Sequence, residues 1–493
     1  MKRLIMSMVA VCLAWGASAT VVLPKILGSN MVMQQSADVK LWGKCDADKS
    51  VTVVVSWAKG KIKTKADDKG NWSVVVTTPA GSYDKHTITI SDGEELVLEN
   101  VMFGDVWVCA GQSNMEMPVQ GYMHQPVENS MTFIRRASAM KDKIRMFTIQ
   151  KARSYDKELD DCKGEWREAA PQSVAETSAV AYFFAHELSY EVDYPIGVIT
   201  AGWGGSRVEC WMPLSALREI ATEEQIKHKH TLHPITPSEL YCGMIAPIRD
   251  YKAKGFLWYQ GEANLGYQSL EYLGDIDHYD IMLARMAQQW REDWGDKENK
   301  MPFYYVQIPP YFYCNSRTDT TLPLFVECQA RAMDIIPNSG MAATTDLGDA
   351  TCLHPPKKFE IGERLAALAL AQTYGRKGFE AKAPQYESHE VAEDGKVKVK
   401  MKNAPMGLAP WSNVPVKGFE LAGEDRKFYP ANATVWGSVV TVWSKQVPKP
   451  VAVRYAFRNV CGEVNLKNLY VSQLPKEPTL DTVIKPSFFL FYR

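Results

Sequence analysis

No CxxC pair occurs in the 493 residues; the ten cysteines fall singly, at 12, 45, 109, 162, 210, 242, 314, 328, 352 and 461. A structural zinc ribbon, whose ligands come in close pairs, is therefore not expected. Charge of one sign is also lacking: 56 Lys plus Arg against 57 Asp plus Glu leave a net charge of -1, with no long like-charge run. That balance offers no electrostatic footprint for nucleic acid and no strong pull toward an anionic membrane. Past the N-terminus there is no apolar run near the ~20 residues that cross a bilayer. No internal repeat and no low-complexity linker is present either, which removes solenoid and fibrous architectures.

What is present begins with an address. Lys2 and Arg3 precede an apolar run from Leu4 to Trp15, and Ala17-Ser18-Ala19 fits a signal peptidase site. Residues 1–19 read as a signal peptide, so a secreted or periplasmic protein is expected, in a compartment that permits disulfides. The 14 Trp and 22 Tyr suit a sugar-handling surface, though the same residues serve equally as core.

The chain is too long for one core. Residues 20–100 carry short β-branched runs, Val51–Trp57, Trp72–Thr77 and His86–Ile90, separated by turn clusters, and read as an N-terminal β-sandwich-like module. From 101 to 378 apolar strands alternate with helical stretches, the pattern of an α/β domain with a parallel sheet flanked by helices. Expected strands are Asp105–Ala110, Pro195–Ala201, Gly255–Tyr259, Phe303–Ile308 and Gly340–Thr345; expected helices are Ser178–Tyr190, Tyr279–Trp294 and Pro355–Tyr374. Residues 379–493 return to strand text at Val397–Met401, Val439–Trp443 and Val451–Tyr455, a C-terminal β module.

In an open α/β sheet, ligands bind where loops meet at the carboxyl ends of the strands. Four loops qualify: Gly111–Asn114, Gly202–Trp211, Gln260–Asn264 and Asp346–His354. Ser113 stands just past a strand beside Gly111, which lets the chain turn sharply and leave a hydroxyl accessible; a turn or helix-cap serine would read the same way. His354 precedes Pro355-Pro356 at an apparent helix start, where the positive end of the helix dipole disfavours imidazolium and keeps a base neutral. Acyl transfer further needs donors aimed at an oxyanion. The backbone N–H of Ser113, that of Gly204 or Gly205, and the Asn264 amide are the candidates. Gln112 and Arg207 are candidate substrate contacts, Arg207 through a sugar carboxylate, although an ion pair with Glu209 is the preferred reading of Arg207. His228, His230 and His233 match no standard metal spacing.

The blocks Gly111-Gln-Ser-Asn-Met115, Gly204-Gly205 with Glu209 and Trp211, Gln260-Gly-Glu-Ala-Asn264, and His354-Pro355 with Lys358 and Gly362–Leu365 resemble the sialate O-acetylesterase family. That family is a branch of the SGNH hydrolases, related to acetylxylan esterases. The likeness extends to Lys417–Asp425 and Val451–Tyr455, so it covers nearly the whole mature chain. It implies an SGNH-hydrolase-like fold and a serine esterase acting on acetylated sugars. Ser113 would be the nucleophile and His354 the base, with neither metal nor organic cofactor. An aspartate three residues before the histidine is usual in SGNH enzymes, but Thr351 stands there. The resemblance offers Glu262 first as the acid orienting His354, then Asp349 and Asp346, or a Ser-His dyad. The alternatives in substrate and class are an acetylated plant polysaccharide and a non-catalytic carbohydrate-binding protein.

Overall fold

The computed structural model describes residues 21–227, 235–265, 276, 278–313, 320–410, 414–462 and 464–468. The expected signal peptide and the histidines at 228, 230 and 233 lie outside the described residues.

The N-terminal part contains β1 (Val32–Gln34), β2 (Asp38–Lys44), β3 (Ser50–Val55), β4 (Ile62–Lys65), β5 (Asn71–Thr77) and β6 (Ser82–Ser91). Strand alternation is plain in β5, where Trp72, Val74 and Val76 are buried and their neighbours exposed. β2 pairs with β5, while β4, β3 and β6 form an antiparallel run that continues onto β7 (Glu95–Gly111). β7 crosses the expected module boundary at residue 100: its first half pairs with β6 and β1, its second half with the central sheet. β1, β3, β4 and β6 are thus continuous with the central sheet through a single 17-residue strand, while β2 and β5 pair apart.

The central sheet adds β8 (Ile144–Thr148), β9 (Trp166–Glu168), β10 (Ile196–Gly202), β11 (Gly255–Tyr259), β12 (Phe303–Val306) and β13 (Ser339–Ala342). Its order is β13-β12-β11-β7-β10-β8-β9, parallel except for β9 at the edge. Helices cover both faces, the α/β architecture expected from the alternation. On β7, Val106, Val108 and Ala110 join the core shared with the N-terminal strands and the helices Tyr279–Asp293 and Thr321–Ile335. Trp107 and Cys109 point the other way, toward the helices Ala179–Leu188 and Lys358–Gln372. The Thr321–Ile335 helix and β8 and β9 were not among the expected elements. The helix after His354 starts at Lys358 rather than Pro355.

The C-terminal part has a four-stranded antiparallel sheet (Gln385–Val391, Val397–Lys402, Val439–Trp443, Asn432–Trp436) and a three-stranded one (Phe428–Pro430, Phe419–Ala422, Ala452–Tyr455) around their own core. It also reaches into the α/β part. Buried Asn459 accepts from Leu322 N–H (2.9 Å) and donates to the Tyr313 carbonyl (2.9 Å). The eight described cysteines are unpaired. Among the described residues no helix is long and apolar enough to cross a membrane.

Candidate active site

The register aligns the carboxyl ends of the strands: Gly111 of β7 lies between Gly202 of β10 and Tyr259 of β11. Gly111 has φ +152°, and a Cβ there would sit 2.1 Å from the Tyr259 carbonyl oxygen, so only glycine lets the chain leave the sheet here. Ser113 follows as the first residue of the short helix Ser113–Glu116. It lines a cavity of about 540 Å³ together with Gly204, Gly205, Glu262 and His354, walled by Tyr311, Phe312 and Tyr313. All four expected loops meet there.

His354 is held from an unexpected side. Its Nδ1 lies 2.6 Å from Oε1 of Gln125. An amide oxygen can only accept, so Nδ1 carries the hydrogen and Nε2 is left as an acceptor. Nε2 is buried and has no hydrogen-bond partner among the described residues. The Tyr122 ring packs edge-on against the imidazole at 5.3 Å, and Tyr122 Oη donates to the Ser113 carbonyl (3.2 Å), tying the base to the serine turn. Burial, and then the Lys358 ammonium, hold the imidazole down at about 4. The neutral form is favoured as expected, but by desolvation and a buried cation.

None of the acids expected to orient His354 bonds to it. Asp349 accepts from Thr351 N–H (2.7 Å), Thr351 Oγ1 (2.8 Å) and Cys352 N–H (3.2 Å), which keep its carboxyl below the usual range. Asp346 forms a two-pronged pair with Arg364 at 2.7 and 2.8 Å. Glu262 Oε1 accepts from Asn114 Nδ2 at 2.5 Å. Gln125 had no signal in the sequence: it sits in a turn 229 residues from His354 and belongs to no motif.

Asn264 and Arg207 are withdrawn from the substrate side of the site, and Gln112 is not. Asn264 is fully buried within its own network; its amide donates to Glu209 Oε2 (3.2 Å) and its carbonyl accepts from Val208 N–H (3.1 Å) and Gln260 Nε2 (2.8 Å), so it is not an oxyanion donor. Gln112 Oε1 accepts from Gln260 Nε2 (3.0 Å) and Ala263 N–H (3.2 Å), bracing two loops, while the residue also lines the cavity beside Ser113. Arg207 is buried in an ion pair with Glu209, the preferred of its two readings, which takes it away from a sugar carboxylate. Of the glycine pair, the Gly204 N–H is committed to Glu116 Oε2 (2.7 Å), whose other oxygen meets Lys151 at 2.6 Å. The N–H groups of Ser113 and Gly205 donate to no described residue, and Gly205 sits at φ +70°.

Behind the serine runs a buried charge relay of opposite signs. Lys358 Nζ, fully buried, donates to Asn114 Oδ1 and lies 5.5 Å from the centre of the Tyr259 ring. Asn114 Nδ2 donates onward to Glu262 and to the Leu353 carbonyl (3.1 Å). Burial pushes the Glu262 carboxyl up and the Lys358 ammonium down, the latter to about 7 against the opposing pull of Glu262. Among the described residues no group of three or more His, Cys, Asp or Glu is placed to hold a metal ion.

A turn-borne serine, a neutral imidazole with a free acceptor and two uncommitted backbone donors are the parts of an acyl-transfer site. Comparison with known proteins points to the same chemistry. The sequence profile of the carbohydrate esterase family described as sialic acid-specific acetylesterase matches residues 103–371. The sialate O-acetylesterase of Homo sapiens is 27% identical over 398 residues, covering 74% of this chain and 73% of that protein. Its Rattus norvegicus counterpart is 28% identical over 414 residues, covering 72% and 74%. The crystal structure of a carbohydrate acetylesterase from Xanthomonas citri superposes with a TM-score of 0.80 at 29% identity, covering 92% of this chain and all of that one. The chain therefore belongs to the sialic acid-specific acetylesterase family of carbohydrate esterases and is a carboxylic ester hydrolase.

Proposed function

We propose that the protein is a serine esterase that hydrolyses O-acetyl esters of sialic acids, at the 9-position first, through an acetyl-enzyme. The observation that carries this reading is the shared cavity of Ser113 and the unpartnered Nε2 of His354. Ser113 Oγ attacks the acetyl carbonyl while His354 Nε2 takes its proton, and the N–H groups of Ser113 and Gly205 receive the oxyanion. The proton passes to the departing sugar oxygen. Water, deprotonated by the same nitrogen, then releases acetate and restores the serine. Gln125 keeps the Nδ1–H tautomer throughout. The leader at 1–19 supports export, where acetylated glycans are met.

A second reading, an esterase for acetylated xylan or another polysaccharide, draws on the Xanthomonas citri structure, which matches over its whole length and is described only as a carbohydrate acetylesterase. Acetate release from 9-O-acetylated sialic acid and from acetylated xylo-oligosaccharide, by wild type and Ser113→Ala, separates the two. The sialate is expected to be the better substrate, and the variant inactive on both. A large preference for the xylo-oligosaccharide overturns the substrate; equal rates for wild type and variant overturn the mechanism.

A further inference from the structure

Glu262 and His354 are the two cavity-lining residues, among those described, that hold a buried side-chain polar atom without a protein partner. The free Nε2 of His354 is accounted for by the serine chemistry. The free Oε2 of Glu262 is not. We propose that Glu262 is a specificity-determining residue whose Oε2 accepts a hydrogen bond from a free hydroxyl of the sugar, next to the carbon that carries the acetyl group. The proposal rests on the reading of this cavity as the esterase site.

The carboxyl group is already aimed. Oε1 is pinned by Asn114 Nδ2 at 2.5 Å, and Asn114 is itself fixed by the Leu353 carbonyl at 3.1 Å and by Lys358 Nζ. An amide wedged between an ammonium donor and a carboxyl acceptor matches an ionised Glu262, with Lys358 as the balancing charge. One carboxyl oxygen is thus held, and the other is buried without a partner among the described residues, on a residue that lines the cavity from the loop after β11, while Ser113 follows the adjacent strand β7. Leaving a buried carboxylate oxygen unbonded is costly. A substrate that donates to it recovers that cost, and a substrate lacking the donor does not. Work on His354 cannot explain Oε2, because the Nδ1 of that ring is engaged by Gln125. The rest of the wall, Tyr311, Phe312 and Tyr313, offers ring surface to the apolar face of a sugar. A sugar that carries a donor hydroxyl beside its ester is the substrate that fits both.

The test compares the methyl glycoside of 9-O-acetylated sialic acid, which keeps the neighbouring 8-hydroxyl, with its 8-deoxy analogue, and a ring-acetylated methyl pyranoside with the analogue lacking its neighbouring hydroxyl. Wild type is expected to favour the hydroxylated ester by about 10- to 100-fold in kcat/KM, the range of one hydrogen bond to a charged group. In Glu262→Gln, which keeps the side-chain shape, the ratio should fall to within about threefold of unity, mostly through KM. A ratio unchanged by the substitution overturns the proposal. So does an equal loss on both esters with a moved acid limb of the pH profile, which would put Glu262 on His354 instead. Should the variant fail to fold, the wild-type series decides alone: indifference to removal of the hydroxyl next to the ester in both pairs of substrates refutes the assignment. Failure of the underlying esterase reading shows separately, as undiminished turnover by Ser113→Ala.

Discussion

Replacing Gln125 by glutamate tests the base and its support in one perturbation. The amide oxygen that receives Nδ1–H stands at 2.6 Å, and glutamate can place a carboxylate oxygen at the same point. Among the described residues no carboxylate is bonded to the ring, and burial and Lys358 both favour neutral imidazole and hold it at about 4. An opposite charge at hydrogen-bond distance raises an imidazole by about one to three pH units, or about 1.4 to 4 kcal/mol of added preference for the protonated ring. Activity requires the neutral ring, so kcat/KM should fall as pH drops through the folded value: near 4 in wild type, and one to three pH units higher in Gln125→Glu. Above that limb the variant should be at least as active, since its carboxylate stabilises the imidazolium formed in the transition state. Gln125→Leu should instead lose about 10- to 100-fold at all pH values, because a buried N–H is left without an acceptor. Initial rates on a soluble acetyl ester from about pH 3 to about pH 8 read all three proteins. If the acid limb of Gln125→Glu coincides with that of wild type, Gln125 is not the partner of the base.

Ser113→Ala should cut acetate release by about 10⁴-fold or more with the melting temperature unchanged, and no acetyl group should remain on the variant in intact-mass measurement. Gly111→Ala should fail to fold or lose more than about 3 kcal/mol in urea, because its Cβ would meet the Tyr259 carbonyl oxygen at 2.1 Å; a fully stable variant would refute the tight turn. Asn459→Ala strips partners from the Tyr313 carbonyl and the Leu322 N–H, which should cost about 2 kcal/mol or more and raise KM for an acetylated sugar through the Tyr311–Tyr313 wall. His354 has a folded value depressed below its ordinary ~6.5, so its contribution to stability is complete above that value and is lost as pH falls toward about 4. Denaturant midpoints of wild type and His354→Gln should therefore converge as the medium is made acid.

The sequence carried much of the site because strand ends are legible. Apolar runs at 105–110 and 255–259 mark β7 and β11, and glycine-rich text just after them puts Ser113 and the Gln260–Asn264 loop at the same edge of the sheet. His354 followed from the same logic. What sequence could not supply is which polar group faces which. Asn264 has suitable chemistry, yet Glu209 takes its amide, a pairing decided by three-dimensional neighbours; the Arg207–Glu209 pair, two residues apart, is by contrast legible in the sequence. Gln125 is the converse: an ordinary residue in an irregular turn, bonded to His354 because tertiary packing delivers it to a ring 229 positions away. The Thr321–Ile335 helix was missed for a local reason, since Pro323 near its start reads as a breaker although the first turn tolerates proline.

The buried pair behind Ser113 suggests why a neutral amide suffices opposite His354. A carboxylate on Nδ1 would raise the basicity of the imidazole, but it would add a second buried negative charge beside Glu262, with Lys358 alone to balance both. As built, Lys358 and Glu262 offset each other through Asn114, and Gln125 fixes the tautomer without charge. In the proposed mechanism the imidazole is then a weak resting base, ionised only in acid, whose proton affinity would rise when the oxyanion forms between the Ser113 and Gly205 N–H groups. Basicity would be supplied by the reaction's own charge rather than by a permanent acid. Lys358→Met separates these contributions. Removing the cation should move the acid limb upward, since Lys358 is the second cause of the low value, while leaving Glu262 buried without its counter-charge should lower stability by about 3 to 5 kcal/mol. An acid limb that stays in place while stability falls would show that burial alone sets the base.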